Sequence, residues 1–196
     1  MSEKKIIDKK IYYVWIGNAK KPEIFYKCLE SWKKNLPDFE IIEINEKNFD
    51  MEKHLKKNRF FRECYEKKLW AYVSDYMRVH FMYQNSGIYV DTDMEIIKDL
   101  TPILEGKISF FQNQKDKLSK KMEFFIGYED KKHISVGIFG TTKHNEILKE
   151  IMEFYEADIW EKPIWTIPKI FTYVFEKKYN LSEKRENALK NGEIVI

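Results

Sequence analysis

Two carboxylates one residue apart, Asp91 and Asp93, follow the short apolar run Ile88-Tyr89-Val90. Such a run reads as a buried strand, and in open α/β sheets ligands bind in the crevice beyond the carboxyl ends of the strands. Two acids so close repel each other and lose hydration unless positive charge sits between them. Hard cations such as Mg²⁺ or Mn²⁺ are held by one or two carboxylates together with substrate phosphates. The chemistry these residues could do is therefore that of a metal–phosphate site, with a polar turn leaving a strand as the plain alternative. Arg78 lies thirteen residues before Asp91, and Asp75 three before that. On a helix, positions i and i+3 share a face. An acid can accept hydrogen bonds from sugar hydroxyls, and an arginine can pair with phosphate or orient carboxylates. An ordinary surface ion pair would satisfy the same spacing. Trp15 and Gly17 end the first apolar run, where an indole face beside a glycine could receive a planar ligand such as a nucleobase, or simply fill a core.

The elements that must position these residues follow from the pattern. Ile11 to Ile16 reads as a strand ending in a Gly17-Asn18 turn. Pro22 suits a first helical turn, Ile24, Phe25, Cys28, Leu29 and Trp32 have helical spacing, and Pro37 stops the pattern. With a strand from Phe39 to Ile44 this is a β-α-β unit, which favours parallel pairing and a right-handed crossover. Residues 46 to 57 predict a short charged helix. Arg59 to Asn85 predicts one long helix or two consecutive ones, with Tyr72, Tyr76, Val79 and Tyr83 on one stripe and Gly87 as the stop. Further strands are expected at Ile108 to Phe111 and Ser135 to Thr141, with a lysine-rich loop between them. Helices are expected at Glu146 to Tyr155, Pro168 to Tyr179 and 182 to 190. Strands alternating with helices point to a three-layer α/β/α domain. A phosphate would be held by metal and side chains, because the chain has neither Gly-x-Gly-x-x-Gly nor a P-loop.

Composition excludes several classes. With 35 basic and 32 acidic residues the net charge is +3, too balanced to argue for nucleic-acid binding. No apolar run approaches the roughly 20 residues of a membrane helix, and Met1 to Lys10 lacks the apolar stretch of a signal peptide. The expectation is a cytoplasmic protein, with a weak peripheral contact at the inner membrane face open to its lysine runs. Cys28 and Cys64 are read as buried, reduced thiols, and the four histidines show no metal-binding spacing.

From Ile11 to about Leu104 the chain resembles bacterial glycosyltransferases of the Asp-x-Asp (DXD) sugar-binding-region family (glycosyltransferase family 32-like), related to yeast α-mannosyltransferases and clostridial glucosylating toxins. The residues that carry the resemblance are Val14-Trp15-Ile16-Gly17, Ser31-Trp32-Lys33-Lys34, Asn45-Glu46-Lys47-Asn48-Phe49-Asp50, Trp70 to Arg78 and Gly87 to Asp93. A weaker match continues through Thr166-Ile167-Pro168. The resemblance implies a GT-A-like fold with a mixed, mostly parallel central sheet. It also implies a metal-dependent, retaining transfer of a hexose from a nucleotide-sugar donor, UDP-linked by expectation, to a glycan or lipid-linked acceptor in surface polysaccharide synthesis. Trp15 would stack on the base, with Gly17 beside it and Asn45 facing the ribose. Ser74, Asp75 and Arg78 would contact the donor sugar, and Tyr89 would line the same pocket. Asp91 would bond ribose or sugar hydroxyls and touch the metal through water, while Asp93 would bind Mn²⁺ or Mg²⁺ directly. The catalytic set implied is Asp75, Arg78, Asp91 and Asp93.

Relatives usually carry a further glycine where Asn18 follows Gly17. Many also continue past the length of this chain, with His, Asn, Ser and Trp residues that complete the metal site, so the expectation is one catalytic domain over 1–196 without that closing segment. Two other readings remain. One is a sugar-nucleotide-binding protein with impaired transfer. The other is a phosphatase of the haloacid-dehalogenase type, with Asp91 as nucleophile and Asp93 as general acid.

Overall fold

A computed structural model describes residues 6–105, 123–128, 134–160 and 165–179. The expected strand at Ile108 to Phe111 and the helix at 182 to 190 lie outside the described residues, as does the expected lysine-rich loop before Ser135 apart from residues 123–128 and 134.

Among the described residues five strands form one mixed sheet in the order β2-β1-β3-β5-β4. Strands β1 (Lys10–Val14) and β2 (Glu40–Ile44) pair in parallel through the crossover helix α1 (Glu23–Asn35), as the β-α-β pattern requires. Strand β3 (Gly87–Val90) adds in parallel on the other side of β1. The sheet then reverses: β5 (Ile134–Thr141) runs antiparallel to β3, and β4 (Phe124–Tyr128) antiparallel to β5. The carboxyl ends of β2, β1 and β3 therefore share one edge of the sheet, where Trp15 and the acidic pair emerge.

Strand alternation splits the core into two layers. Tyr12, Val14 and Tyr89 face a cluster with α3 (Arg59–Glu66), α4 (Trp70–Gln84), α6 (Glu146–Glu156) and α7 (Ile167–Tyr179). Ile11, Tyr13, Ile88 and Val90 face Phe25, Cys28 and Trp32 of α1 and Leu104 of the short α5 (Thr101–Leu104). Both cysteines are free and buried.

The structure departs from the sequence pattern at several points. The charged helix expected from residue 46 begins only at Met51 and forms α2 (Met51–Lys57), because Asn45 and Asn48 tie the preceding residues into a turn and Asp50 caps the helix by accepting the Lys53 N–H. Of the two readings of Arg59 to Asn85, the structure takes the two-helix one, with α3 and α4 separated at Lys68, which takes φ 56. Gly87 does not stop α4, which ends at Gln84 with Asn85 as its cap. It opens β3 instead: its φ is 149, and a Cβ there would lie 2.7 Å from Tyr12 Cε2 and 2.9 Å from the Lys10 carbonyl. Strand β4 is absent from the sequence reading, since its pairing with β5 is what makes it a strand.

Candidate active site

Helix α4 carries the centre of the site. Val73, Tyr76, Met77, Arg78, Val79, His80 and Met82 are all buried, so the helix is enclosed on nearly every side and its polar groups must find partners inside the protein. Arg78 finds three. Its Nη2 lies 2.9 Å from Asp75 Oδ1, its Nη1 lies 3.0 Å from Asp91 Oδ1, and Nη1 also donates to the Val136 carbonyl at 3.2 Å. The guanidinium sits 4.6 Å from the centroid of the Tyr89 ring, and the Tyr89 hydroxyl donates to the same Asp91 Oδ1 at 2.7 Å. One buried cation thus fastens a helix acid to a strand-end acid.

Burial and pairing compete over these charges. Desolvation pushes the Asp75 carboxyl up to about 6, beyond what Arg78 and the Ile167 backbone N–H pull down, and Asp91 adds repulsion. Desolvation works against the Arg78 cation, yet its acidic and phenolic neighbours hold its pKa above the usual value. Burial raises the Tyr89 phenol far above its ordinary range, so it remains a donor to Asp91.

Asp93 differs from its neighbour. Its side chain is exposed, and among the described residues no hydrogen bond or ion pair engages its carboxylate. Among the described residues the segment after it has no strand partner, and it is held by side chains of α1. Trp32 Nε1 donates to the Met94 carbonyl at 2.7 Å, Ser31 Oγ accepts the Ile96 N–H at 3.0 Å, and Asn35 Nδ2 donates to the Ile96 carbonyl at 2.7 Å. That is the physical use of the Ser31-Trp32 motif. On the other side, the Asp91 N–H donates to the Gly137 carbonyl at 2.7 Å, and a Cβ at Gly137 would come within 3.3 Å of Asp91 Oδ2.

The nucleoside candidates gather one strand away. Trp15, Gly17, Asn18, Glu43, Asn45, Glu46 and Lys47 line a cavity of about 450 Å³ at the carboxyl ends of β1 and β2. Gly17 takes φ 76, a left-handed conformation that suits glycine, and its N–H donates to Glu46 Oε1 at 2.7 Å. The Trp15 indole N–H is fixed on the Ala19 carbonyl at 3.1 Å.

Asp75, Arg78, Tyr89 and Asp91 therefore form one connected cluster, while Trp15, Gly17 and Asn45 form a second on the same sheet edge. Ser74 turns its hydroxyl back onto the Ala71 carbonyl at 2.8 Å. Tyr89 is buried and meets the cluster through its hydroxyl, on Asp91, and through its ring, beside the Arg78 guanidinium. Sequence reasoning missed Val136 and Gly137 on β5, whose contributions are backbone and carry no side-chain signal. It also missed Glu43, an ordinary acid in an alternating strand. The Thr166-Ile167-Pro168 motif does reach the site, through the N–H at the start of α7 beside Asp75.

A larger cavity, about 810 Å³, lies on the other side of α4 and is lined by residues including Phe49, His54, Tyr76, His80 and Tyr155. None of the acids of the cluster lines it. Its lining includes Lys53, Lys57 and Arg59, but its size alone does not make it the site, since neither acid of the Asp91-Thr92-Asp93 pair reaches it.

Asp91 and Asp93 supply only oxygen donors, and among the described residues three acids (Asp75, Asp91, Asp93) stand against the single guanidinium of Arg78. That donor set and charge deficit fit a hard divalent cation shared with phosphate oxygens. Among the described residues no group of three or more His, Cys, Asp or Glu could hold a metal unaided.

The mixed sheet and the helices packed on it have a GT-A-like architecture. Residues 22–110 match the family described as the glycosyltransferase sugar-binding region containing the DXD motif, and Asp91-Thr92-Asp93 is the DXD of that region. Among solved structures the chain is similar to the PaToxG glycosyltransferase, with a TM-score of 0.69 at 19% identity over 96% of this chain and 75% of that one. At that identity the likeness is one of fold. No curated protein matches the chain by sequence. No helix among the described residues is long and apolar enough to cross a membrane.

Proposed function

We propose that the protein transfers a hexose from a nucleoside diphosphate donor, UDP-linked in the first instance, to a glycan or lipid-linked acceptor, with Mn²⁺ or Mg²⁺ bound at Asp93 and Asp91. The observation that carries this reading is the asymmetry of the acidic pair: Arg78 and Tyr89 hold Asp91, while Asp93 stands exposed at the edge of the sheet. A divalent cation bound there would neutralise charge as it builds on the departing diphosphate.

The protein's own residues do the rest. Trp15 offers a face for the base, and Asn45 an amide at the ribose end. Arg78 holds Asp75 and Asp91 in place through its two ion pairs, so that their carboxylates present fixed acceptors to the hydroxyls of the donor. Holding these acceptors before the substrate arrives removes an ordering cost from the reaction. Retention of anomeric configuration, a cytoplasmic setting and a role in surface polysaccharide synthesis belong to the same proposal and rest on the family resemblance.

Calorimetry with UDP in the presence and absence of Mn²⁺ tests the reading. Binding should require the cation, and Asp93→Ala should abolish that requirement along with most of the affinity. Metal-independent UDP binding, or binding unchanged by Asp93→Ala, would overturn it. UDP binding without donor hydrolysis or transfer would leave a binding protein in place of an enzyme.

A further inference from the structure

The cavity at the ends of β1 and β2 has two walls, and one carboxylate ties them together. Glu43, on β2, accepts the Tyr13 hydroxyl at 2.9 Å and the Asn45 amide N–H at 2.8 Å, and forms an ion pair with the Lys21 ammonium. The Lys21 nitrogen in turn sits 5.6 Å from the Trp15 ring centroid and 5.5 Å from that of Phe25. Burial pushes the Glu43 carboxyl up, but hydrogen bonds from Lys21, Asn45 and Tyr13 more than offset this and hold it below the usual carboxylate range.

The consequences fall on the groups that would touch a nucleoside. The Asn45 amide is fixed at both ends: its nitrogen points to Glu43, and its oxygen accepts the Lys47 N–H at 2.9 Å. An amide held that way keeps one N–H and one lone pair for a ligand, in a known orientation. The Trp15 indole is fixed by its own N–H and by the cation that Glu43 holds against its ring. We infer that Glu43 is a positioning residue for the nucleoside end of the donor, acting through Asn45 on one wall and through Lys21 and Trp15 on the other. The inference rests on the donor reading above and adds a residue that touches no reacting atom.

The test compares two probes that share a diphosphate and differ in the nucleoside. UDP and inorganic pyrophosphate, each with Mn²⁺, are titrated into the full chain and into Glu43→Gln. UDP should bind the variant about tenfold more weakly, a loss on the scale of one charge-assisted hydrogen bond. Pyrophosphate should bind it as it binds the parent protein. Lys21→Met leaves Tyr13 and Asn45 on the carboxylate. It should weaken UDP less, again spare pyrophosphate, and reduce the tryptophan fluorescence change on UDP binding that Trp15→Phe removes. If Glu43→Gln fails to fold, Lys21→Met carries the test alone, and UDP affinity unchanged in it overturns the inference. Equal UDP affinity in parent and Glu43→Gln also overturns it, as does parallel loss of both probes, the mark of a merely structural role. A parent protein that binds no UDP overturns the donor reading, and the role of Glu43 falls with it.

Discussion

Two regions meet on helix α4 and handle buried polarity in opposite ways. On one face Arg78 gathers Asp75 and Asp91 into a charged cluster in which the charges answer one another. On the other face Tyr76 and His80 line the larger cavity with His54. Here the Tyr76 ring stacks on His80 at 3.9 Å and His54 Nδ1 lies 2.9 Å from the Tyr76 hydroxyl. Burial drives the His80 pKa down to about 3 and lowers that of His54, so both imidazoles are neutral near pH 7. Among the described residues His80 Nε2 is buried without a partner, as is Arg78 Nε on the first face. Asp75 and Tyr76 are adjacent in sequence, yet one side of the helix keeps ions and the other expels charge. The difference lies in what packs against each face: a strand end with an acid and two backbone carbonyls, or a stack of aromatic rings.

The largest break in this contrast should come from Arg78→Met. It leaves two acids beside each other without their cation, and removing one partner of a buried ion pair costs about 3–5 kcal/mol. Urea denaturation should show a loss of that size, and donor binding should vanish even at temperatures where the variant is folded.

Acid should separate the two faces next. The folded pKa of His80, about 3, lies below the ordinary value of 6.5, so its stabilising contribution is full above pH 6.5 and is lost as pH falls toward 3. The folded pKa of Asp75, about 6, lies above the ordinary 3.8, so its penalty is full above pH 6 and is relieved as pH falls toward 3.8. The two slopes oppose each other between pH 4 and pH 6. In His80→Phe the His80 slope is gone, and variant and parent should diverge by about 1.4 kcal/mol per pH unit through that window. Parallel stability profiles would show that the histidine titrates alike in the folded and unfolded chain.

The smallest effect sharpens the comparison at neutral pH. His80→Phe replaces an imidazole whose Nε2 has no partner with a ring of similar shape, and its stability at pH 7.5 should lie within about 1 kcal/mol of the parent or above it. A loss of several kcal/mol would mean that a water satisfies Nε2 in solution.

Much of the candidate site is legible in the sequence because it is local. Asp91 and Asp93 follow an apolar strand, and Asp75 and Arg78 are one helical turn apart, so spacing alone brings each pair together. The β-α-β unit is legible for the same reason. Residues whose roles depend on distant partners are not. Glu43 reads as a solvent-facing acid until Lys21, Tyr13 and Asn45 converge on it. Ser31, Trp32 and Asn35 read as part of an amphipathic helix until the chain after Asp93 lies across them. Gly87 reads as a helix stop, although its glycine is required by Tyr12 on another strand.

The sequence by itself determined the residue types, the strand–helix alternation and the acidic pair at a strand end, because hydrophobic periodicity and short spacings are properties of the local chain. Only the tertiary structure decided that Arg78 bridges the two acids, that Asp91 is engaged while Asp93 is exposed, and that Glu43 joins the walls of the cavity at the ends of β1 and β2. Those outcomes depend on which buried polar groups come within hydrogen-bond reach of one another, and that is fixed by the packing of β5, α1 and α4 around the sheet rather than by any one segment.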